Sequence, residues 1–162
     1  MLISDDGEKY SPEGIEEAFV AQSPFIEQCM LYNNQNPYTI ALIYPNTEAI
    51  KRWLIKENLA GDTEEGQIAI LKMLEGEINE YRIGRKHEKM FPQRWLPAAI
   101  GVLPEGFTED NHLMNSTLKM VRPKVVEHYK DLMVYLYTPE AKDICNQRNM
   151  EVINNLGFNG NS

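Results

Sequence analysis

The sequence predicts an α+β fold, with a small N-terminal β-hairpin and a mostly three-stranded sheet flanked by helices. Three observations point there. Asp5-Asp6-Gly7 is turn chemistry between two short extended pieces. Two apolar, β-rich runs are separated by Asn33-Asn34-Gln35-Asn36-Pro37, which marks an antiparallel pair. Elsewhere apolar residues recur at helical spacing behind Ser, Thr or Asn caps.

In chain order, Met1 to Ser4 and Tyr10 form the hairpin arms, and the Asp-Gly pair tolerates the positive φ of a tight turn. Ser11-Pro12-Glu13 opens a helix, with Ser11 as N-cap and Pro12 at the first helical position, carrying Ile15, Ala18 and Phe19 and ending near Gln22 to Pro24. Phe25 to Tyr32 and Tyr38 to Tyr44 make the sheet centre. Asn46-Thr47-Glu48 caps a helix with Ile50, Trp53 and Leu54. After the Gly61-Asp62 break a long helical pattern runs through Ile68, Leu71, Leu74, Ile78 and Ile83.

Ala98 to Leu103, between Pro97 and Pro104, is a short strand. A loop then leads through Asn115 to Arg122-Pro123, which open one apolar-periodic run over Val125, Val126, Tyr129, Leu132, Met133 and Leu136. Thr138-Pro139-Glu140 caps one more helix, and Asn154 to Ser162, rich in Asn and Gly, are expected to fray. The sequence has no internal repeat.

Composition bounds the function. The 162 residues, 43% hydrophobic and 25% charged, suit one domain with an ordinary core. A net charge of -8 argues against a nucleic-acid partner, since phosphate binding needs clustered Lys and Arg. No run approaches the roughly 20 apolar residues of a membrane span, and the acidic N-terminus is unlike a signal peptide, so a cytoplasmic location is expected. Cys29 and Cys145 lack Cys-x-x-Cys spacing and read as inert thiols. His87, His112 and His128 have no ligand spacing, so no metal site is expected on this chain. The basic patch Arg82, Arg85, Lys86, Lys89 and Arg94, with Tyr81, Phe91 and Trp95, reads as a basic helix end that packs its aromatics inward, with a peripheral membrane contact through anionic headgroups or an anionic nucleotide as the other readings.

Chemistry is aimed at one place. Asn115-Ser116-Thr117-Leu118-Lys119-Met120-Val121-Arg122 holds a lone lysine in a polar, turn-prone segment just ahead of a helix, where a mobile ammonium can reach an anionic ligand. This string resembles the C-terminal signature of the adenylate-forming enzymes, and most of all Thr-Pro-Thr-Leu-Lys-Leu-Lys-Arg of their long-chain acyl-CoA synthetase branch. Asp6-Gly7-Glu8-Lys9-Tyr10-Ser11-Pro12-Glu13-Gly14-Ile15-Glu16 resembles the family's Gly-Glu-Lys/Asn-Ile-Ser-Pro-Glu-Glu-Ile-Glu. Pro37 to Pro45 is similar to its Pro-Tyr-Leu-Val-Ala-Leu-Ile-Val-Pro strand, and Phe107-Thr108-Glu109-Asp110-Asn111 leads into the lysine segment as expected.

The resemblance covers residues 2 to 137. It implies an adenylate-forming C-terminal lid domain over 1–137, with 138–162 as a helical extension and flexible tail. It implies Lys119 as the adenylation lysine of a long-chain fatty-acid–CoA ligase. It also implies Gly7, Glu8 and Lys9, next to Asp6, as a hairpin lining the CoA pantetheine tunnel. ATP, Mg²⁺ and fatty acid would be held mainly by the family's larger N-terminal adenylation domain, whose phosphate loop these residues lack. The chain is thus expected to be a fragment, inactive alone, from a cut or a split gene. A non-catalytic module binding acyl-CoA or a carrier protein is the alternative. Departures are Gly14 for glutamate, Asn115-Ser116 for Thr-Pro, Leu118 for the wider superfamily's glycine, and Val121 for a frequent lysine.

Overall fold

The computed structural model describes residues 1–158. Its centre is a three-stranded sheet of β3 (Ile26–Tyr32), β5 (Ile40–Pro45) and β6 (Ala99–Val102) in the order β3-β5-β6. β3 runs antiparallel to β5 and β6 parallel to it, with Met30 opposite Leu42 and Leu42 opposite Gly101. β5 reads as an unbroken apolar run because both its faces are covered. Ala41 and Ile43 join the core under α1 (Glu13–Gln22), α2 (Thr47–Lys56), α3 (Glu64–Asn79) and α6 (Gln147–Leu156). Ile40 and Leu42 face the second core, under α4 (Arg122–His128) and α5 (Lys130–Leu136). The α+β class and the helix-flanked sheet are as expected.

Buried side chains close both free edges of this sheet, where bare backbone groups would otherwise invite pairing. At the β3 edge the Leu31 N–H donates to the Glu16 carboxylate at 2.6 Å. At the β6 edge Asn149, fully buried, accepts from the Val102 N–H at 3.1 Å and donates to the Ile100 carbonyl at 2.9 Å, as a neighbouring strand would.

The hairpin forms from β1 (Leu2–Ser4) and β2 (Lys9–Tyr10), and Gly7 takes the positive φ of +90° that its turn requires. It is not a lone hairpin. β4 (Asn34–Asn36), in the stretch expected to be only a turn, pairs parallel with β1 and makes a second three-stranded sheet. Asparagines serve both ends: Asn36 N–H bonds to Asn33 Oδ1 at 2.8 Å and Gln35 adopts a φ of 60°, so the chain turns on side chains while its backbone pairs. Tyr10 and Thr39 share a buried hydroxyl–hydroxyl bond that ties the two sheets together.

Several expected boundaries shift. Ser11 makes no cap; Pro12 is the N-cap residue and the Ser11 hydroxyl donates to Glu13 instead. α3 is capped by Thr63, but it stops at Asn79, short of the expected Ile83, which is exposed in the loop that Gly84 (φ +84°) turns. The single run after Arg122 breaks at Tyr129 (φ -108°, ψ 22°), giving α4 and α5. Thr138-Pro139-Glu140 starts only a 3-10 turn, Pro139–Lys142; α6 begins later, where Asn146 accepts from the Asn149 N–H at 2.9 Å.

The expected fraying from Asn154 fails for its first residues. They complete α6, Gly157 ends it in the left-handed conformation (φ 71°), and Phe158 is buried to 1% exposure against Gly61. Residues 159–162 of that expected tail lie outside the described residues.

Candidate functional site

The lysine segment is a closed loop. It leaves β6 with Leu103 N–H on the Ile43 carbonyl at 2.8 Å, then is pinned to β3 by Gln28, whose amide accepts from Phe107 N–H at 2.7 Å and donates to Phe107 O at 3.1 Å. Met114 and Met120 form an antiparallel bridge, and Val121 N–H reaches Leu113 O at 2.9 Å, so the ends of the loop are fixed together.

Between those ends Asn115 organises the turn. Its Oδ1 accepts from the backbone N–H groups of Thr117 and Lys119, each at 3.0 Å, and from the Thr117 hydroxyl at 2.7 Å. Leu118 sits at φ 60°, left-handed backbone that an L side chain rarely adopts, and is 72% exposed. Lys119 follows it, exposed, with no ion pair to its ammonium among the described residues. A cleft of about 390 to 420 Å³ is not unusual on this surface; the one at Lys119 measures about 420 Å³ and is lined also by Glu13, Glu16, Glu17, Met120 and Arg122.

Arg122 ends the segment by an ion pair with Glu16, 106 residues away in sequence. The contact is two-pronged: Nη1 donates to Oε2 at 3.0 Å and Nη2 donates to Oε1. Glu16 is 6% exposed. Burial works against the charge on Arg122, but the facing Glu16 carboxylate outweighs it and the guanidinium pKa is raised. The same burial pushes the neighbouring Cys29 thiol well up, in keeping with an inert cysteine.

The hairpin tip is built differently. Glu8 accepts from Arg94 Nε and Nη2, both at 2.7 Å, and from the Trp95 indole N–H at 2.7 Å. Those three donors hold its carboxyl below the usual range, the Arg94 bonds first and the indole second. Tyr10 stacks on Trp95 with ring centroids 5.1 Å apart. Gly7 has open space around its α-carbon and Lys9 is exposed. No residue of the tip lines the Lys119 cleft, so the structure places the two sequence-derived sites apart.

The basic patch is not a helix end, because α3 has already stopped. Arg94 is held by Glu8, and Arg82 donates to the Asn79 side chain and the Pro97 carbonyl, which leaves Arg85, Lys86 and Lys89 outward. Tyr81 does pack into the core, against Phe19 and Phe91. Sequence reasoning missed the partners of Glu16 and Glu8, since contacts so distant leave no local signal. It could have seen Leu118, whose position holds glycine in the wider superfamily, as a left-handed residue.

No protein-family model matches the chain. Fatty acyl-CoA synthetase B of Dictyostelium discoideum is 27% identical over 136 residues, covering 82% of this chain and 19% of its own length. Long-chain-fatty-acid–CoA ligase 1 of Cavia porcellus is 29% identical over 135 residues, again 82% of this chain and 19% of its own. Over 82% of its length this chain is similar to the long-chain acyl-CoA synthetases. Their matched part is the C-terminal portion, so this chain spans about a fifth of the length of the curated proteins it matches. Among solved structures, the adenylation domain of a carboxylate reductase from Mycobacterium chelonae superposes with a TM-score of 0.66 at 23% identity, covering 84% of this chain and 19% of that one. The adenylation domain of carboxylic acid reductase from Segniliparus rugosus, in complex with AMP and a co-purified carboxylic acid, gives 0.64 at 25% identity over 84% of this chain and 19% of that one. The chain therefore has the C-terminal part of the adenylate-forming fold. No helix among its described residues is long and apolar enough to cross a membrane.

Proposed function

We propose that residues 1–137 are the mobile C-terminal domain of a long-chain fatty-acid–CoA ligase, with 138–162 a C-terminal extension whose Asn149 closes the β6 edge, working in the cytoplasm beside a larger adenylation domain. The single observation that carries the reading is Lys119. It is an exposed, unpaired ammonium at the rim of a loop whose backbone is fixed on every side, in a chain that aligns with long-chain CoA ligases.

The chemistry suits it. A fatty-acid carboxylate attacks the α-phosphate of ATP, a carboxylate–phosphorus bond forms and pyrophosphate leaves. Negative charge then concentrates on oxygens that one flexible cation can reach together. Lys119 contacts the carboxylate and phosphate oxygens in this reading. ATP, Mg²⁺ and the acyl chain belong to the larger domain, which supplies the metal's neutralising charge.

In the second half-reaction the CoA thiol attacks the acyl carbonyl and AMP leaves. We assign the hairpin to it. Gly7 offers backbone with nothing crowding it, Lys9 an exposed cation, and Glu8 the brace on Arg94 and Trp95 that keeps the tip in shape.

The test uses the complete protein that carries these residues. Lys119→Ala should lower fatty-acid-dependent pyrophosphate release by about 100-fold or more, while thioester formation from supplied acyl-adenylate and CoA stays near normal. If the wild type forms no adenylate from any chain length, the ligase reading is lost and a non-catalytic acyl-CoA or carrier-protein binding module replaces it.

A further inference from the structure

We infer that Glu16 and Arg122 are positioning residues for Lys119, an inference that rests on the proposed role of that lysine. The start of α4 has no side-chain cap, and its Val121 N–H reaches back into the same loop, to Leu113 O, so neither fixes the point where the loop enters the helix relative to α1. What fixes it is Arg122, three residues beyond Lys119, whose guanidinium lies in a two-pronged grip on Glu16 of α1. The grip is itself anchored, because Glu16 Oε2 also accepts the Leu31 N–H of the β3 edge at 2.6 Å. Arg122 and Lys119 line the same cleft, three residues apart on one segment.

Stability alone is a poor reason for this arrangement. Burying two charges takes both out of water, and well-packed apolar residues of similar size often serve the fold as well. A guanidinium–carboxylate fork, by contrast, fixes direction as well as distance, since two parallel bonds hold only one relative orientation. The other end of the loop is set by Asn115 and the Met114–Met120 bridge. Lys119 is therefore suspended between a local clamp upstream and a long-range clamp downstream. The base of the loop is held to the sheet through Gln28 and Ile43, and the fork ties its lysine end to α1. The opening helix α1 then does more than cover the sheet: it carries the reference point from which the lysine is aimed.

The experiment is a double-mutant cycle in the complete protein, on Glu16→Gln and Lys119→Ala, reading adenylation by pyrophosphate release and thioester formation from supplied acyl-adenylate separately. Glu16→Gln keeps an acceptor for Leu31 N–H while breaking the charged fork. Adenylation should fall on the order of 10- to 100-fold, thioester formation should change little, and in the Lys119→Ala background Glu16→Gln should cost adenylation nothing more. Arg122→Lys, which keeps the charge and loses the fork, should reproduce the loss in a protein with unaltered melting. In the 162-residue chain, amide exchange at Lys119 and Val121 should quicken in Glu16→Gln. Normal adenylation in Glu16→Gln, equal loss of both half-reactions, or full additivity with Lys119→Ala overturns the positioning role. An unaltered Lys119→Ala enzyme overturns the functional reading itself, which is a different result.

Discussion

Glu8 and Arg94, 86 residues apart, meet in a parallel pair of 2.7 Å hydrogen bonds, and the Trp95 indole completes the carboxylate's set of donors at 2.7 Å. The hairpin tip is thus locked to the short 3-10 turn Gln93–Trp95, and Tyr10 stacks on the same indole. Glu8 thus braces the tip on which Gly7 and Lys9 sit.

The brace is pH-dependent with a definite sign. The Arg94 and Trp95 donors hold the folded-state pKa of Glu8 below that of an ordinary glutamate, so the carboxylate is charged and the brace intact at neutral pH. Its contribution is present above the unfolded pKa and is lost as pH falls through the lower, folded value. In NMR spectra of the chain, the Trp95 indole N–H should stay at one shift down to about pH 4.5 and move below it. Glu8→Gln should show the low-pH shift throughout. An indole that titrates identically in Glu8→Gln assigns the change to another group.

Asn149 carries a larger load. Replacing it by alanine strips the partners from Val102 N–H, Ile100 O and Ile144 O in a site with no exposure. Each buried orphan costs about 1–3 kcal/mol, so the urea-unfolding free energy should drop by about 3–5 kcal/mol. Asn149→Asp should be as damaging, since its carboxylate repels the two carbonyls. A loss below about 1 kcal/mol would mean that water satisfies the edge.

How much of this was legible in advance depends on the range of the interaction. Gly7, the Asn46 cap and the two strands around β5 announce themselves within a few residues, because turn and cap geometry is set by neighbours. Lys119 stood out for the same reason, being a lone cation in a polar turn. The parallel pairing of Asn34–Asn36 with β1, the plug at Asn149 and the Glu16–Arg122 fork are long-range, and an asparagine or glutamate in isolation does not say what it will meet. The break at Tyr129 hides inside a clean apolar periodicity, since a kink of one residue keeps the same face buried.

Gly61 and Phe158 test whether the end of the chain belongs to the fold. A Cβ on Gly61 would lie 1.9 Å from the Phe158 carbonyl oxygen and 2.5 Å from its Cβ, both too close to exist. Gly61→Ala must push Phe158 out of the core, and should cost about 2–4 kcal/mol. Phe158→Ala removes the same ring at about 3–5 kcal/mol. The double variant should cost little more than Phe158→Ala alone, because the clash has lost most of what it displaced. Additive losses in urea melts would place the Gly61 effect elsewhere.

Leu118 should respond in the opposite direction. Its φ of 60° is uncomfortable for any residue with a Cβ, by about 1–2 kcal/mol, and its side chain recovers little by packing because it is 72% exposed. Glycine relieves that strain and returns about 0.5–1 kcal/mol through the greater freedom of the unfolded chain. Leu118→Gly should therefore gain about 0.5–1 kcal/mol, a rise of about 1–4 °C in Tm for a chain of this size. Leu118→Val, β-branched in the same backbone, should lose stability. The pair is diagnostic because hydrophobicity predicts the reverse order: valine keeps most of the apolar surface and glycine keeps none. A melting series in the order Gly, Leu, Val from highest to lowest identifies backbone strain as the governing quantity at this position. The reverse order shows that the leucine side chain rests on something that stabilises it.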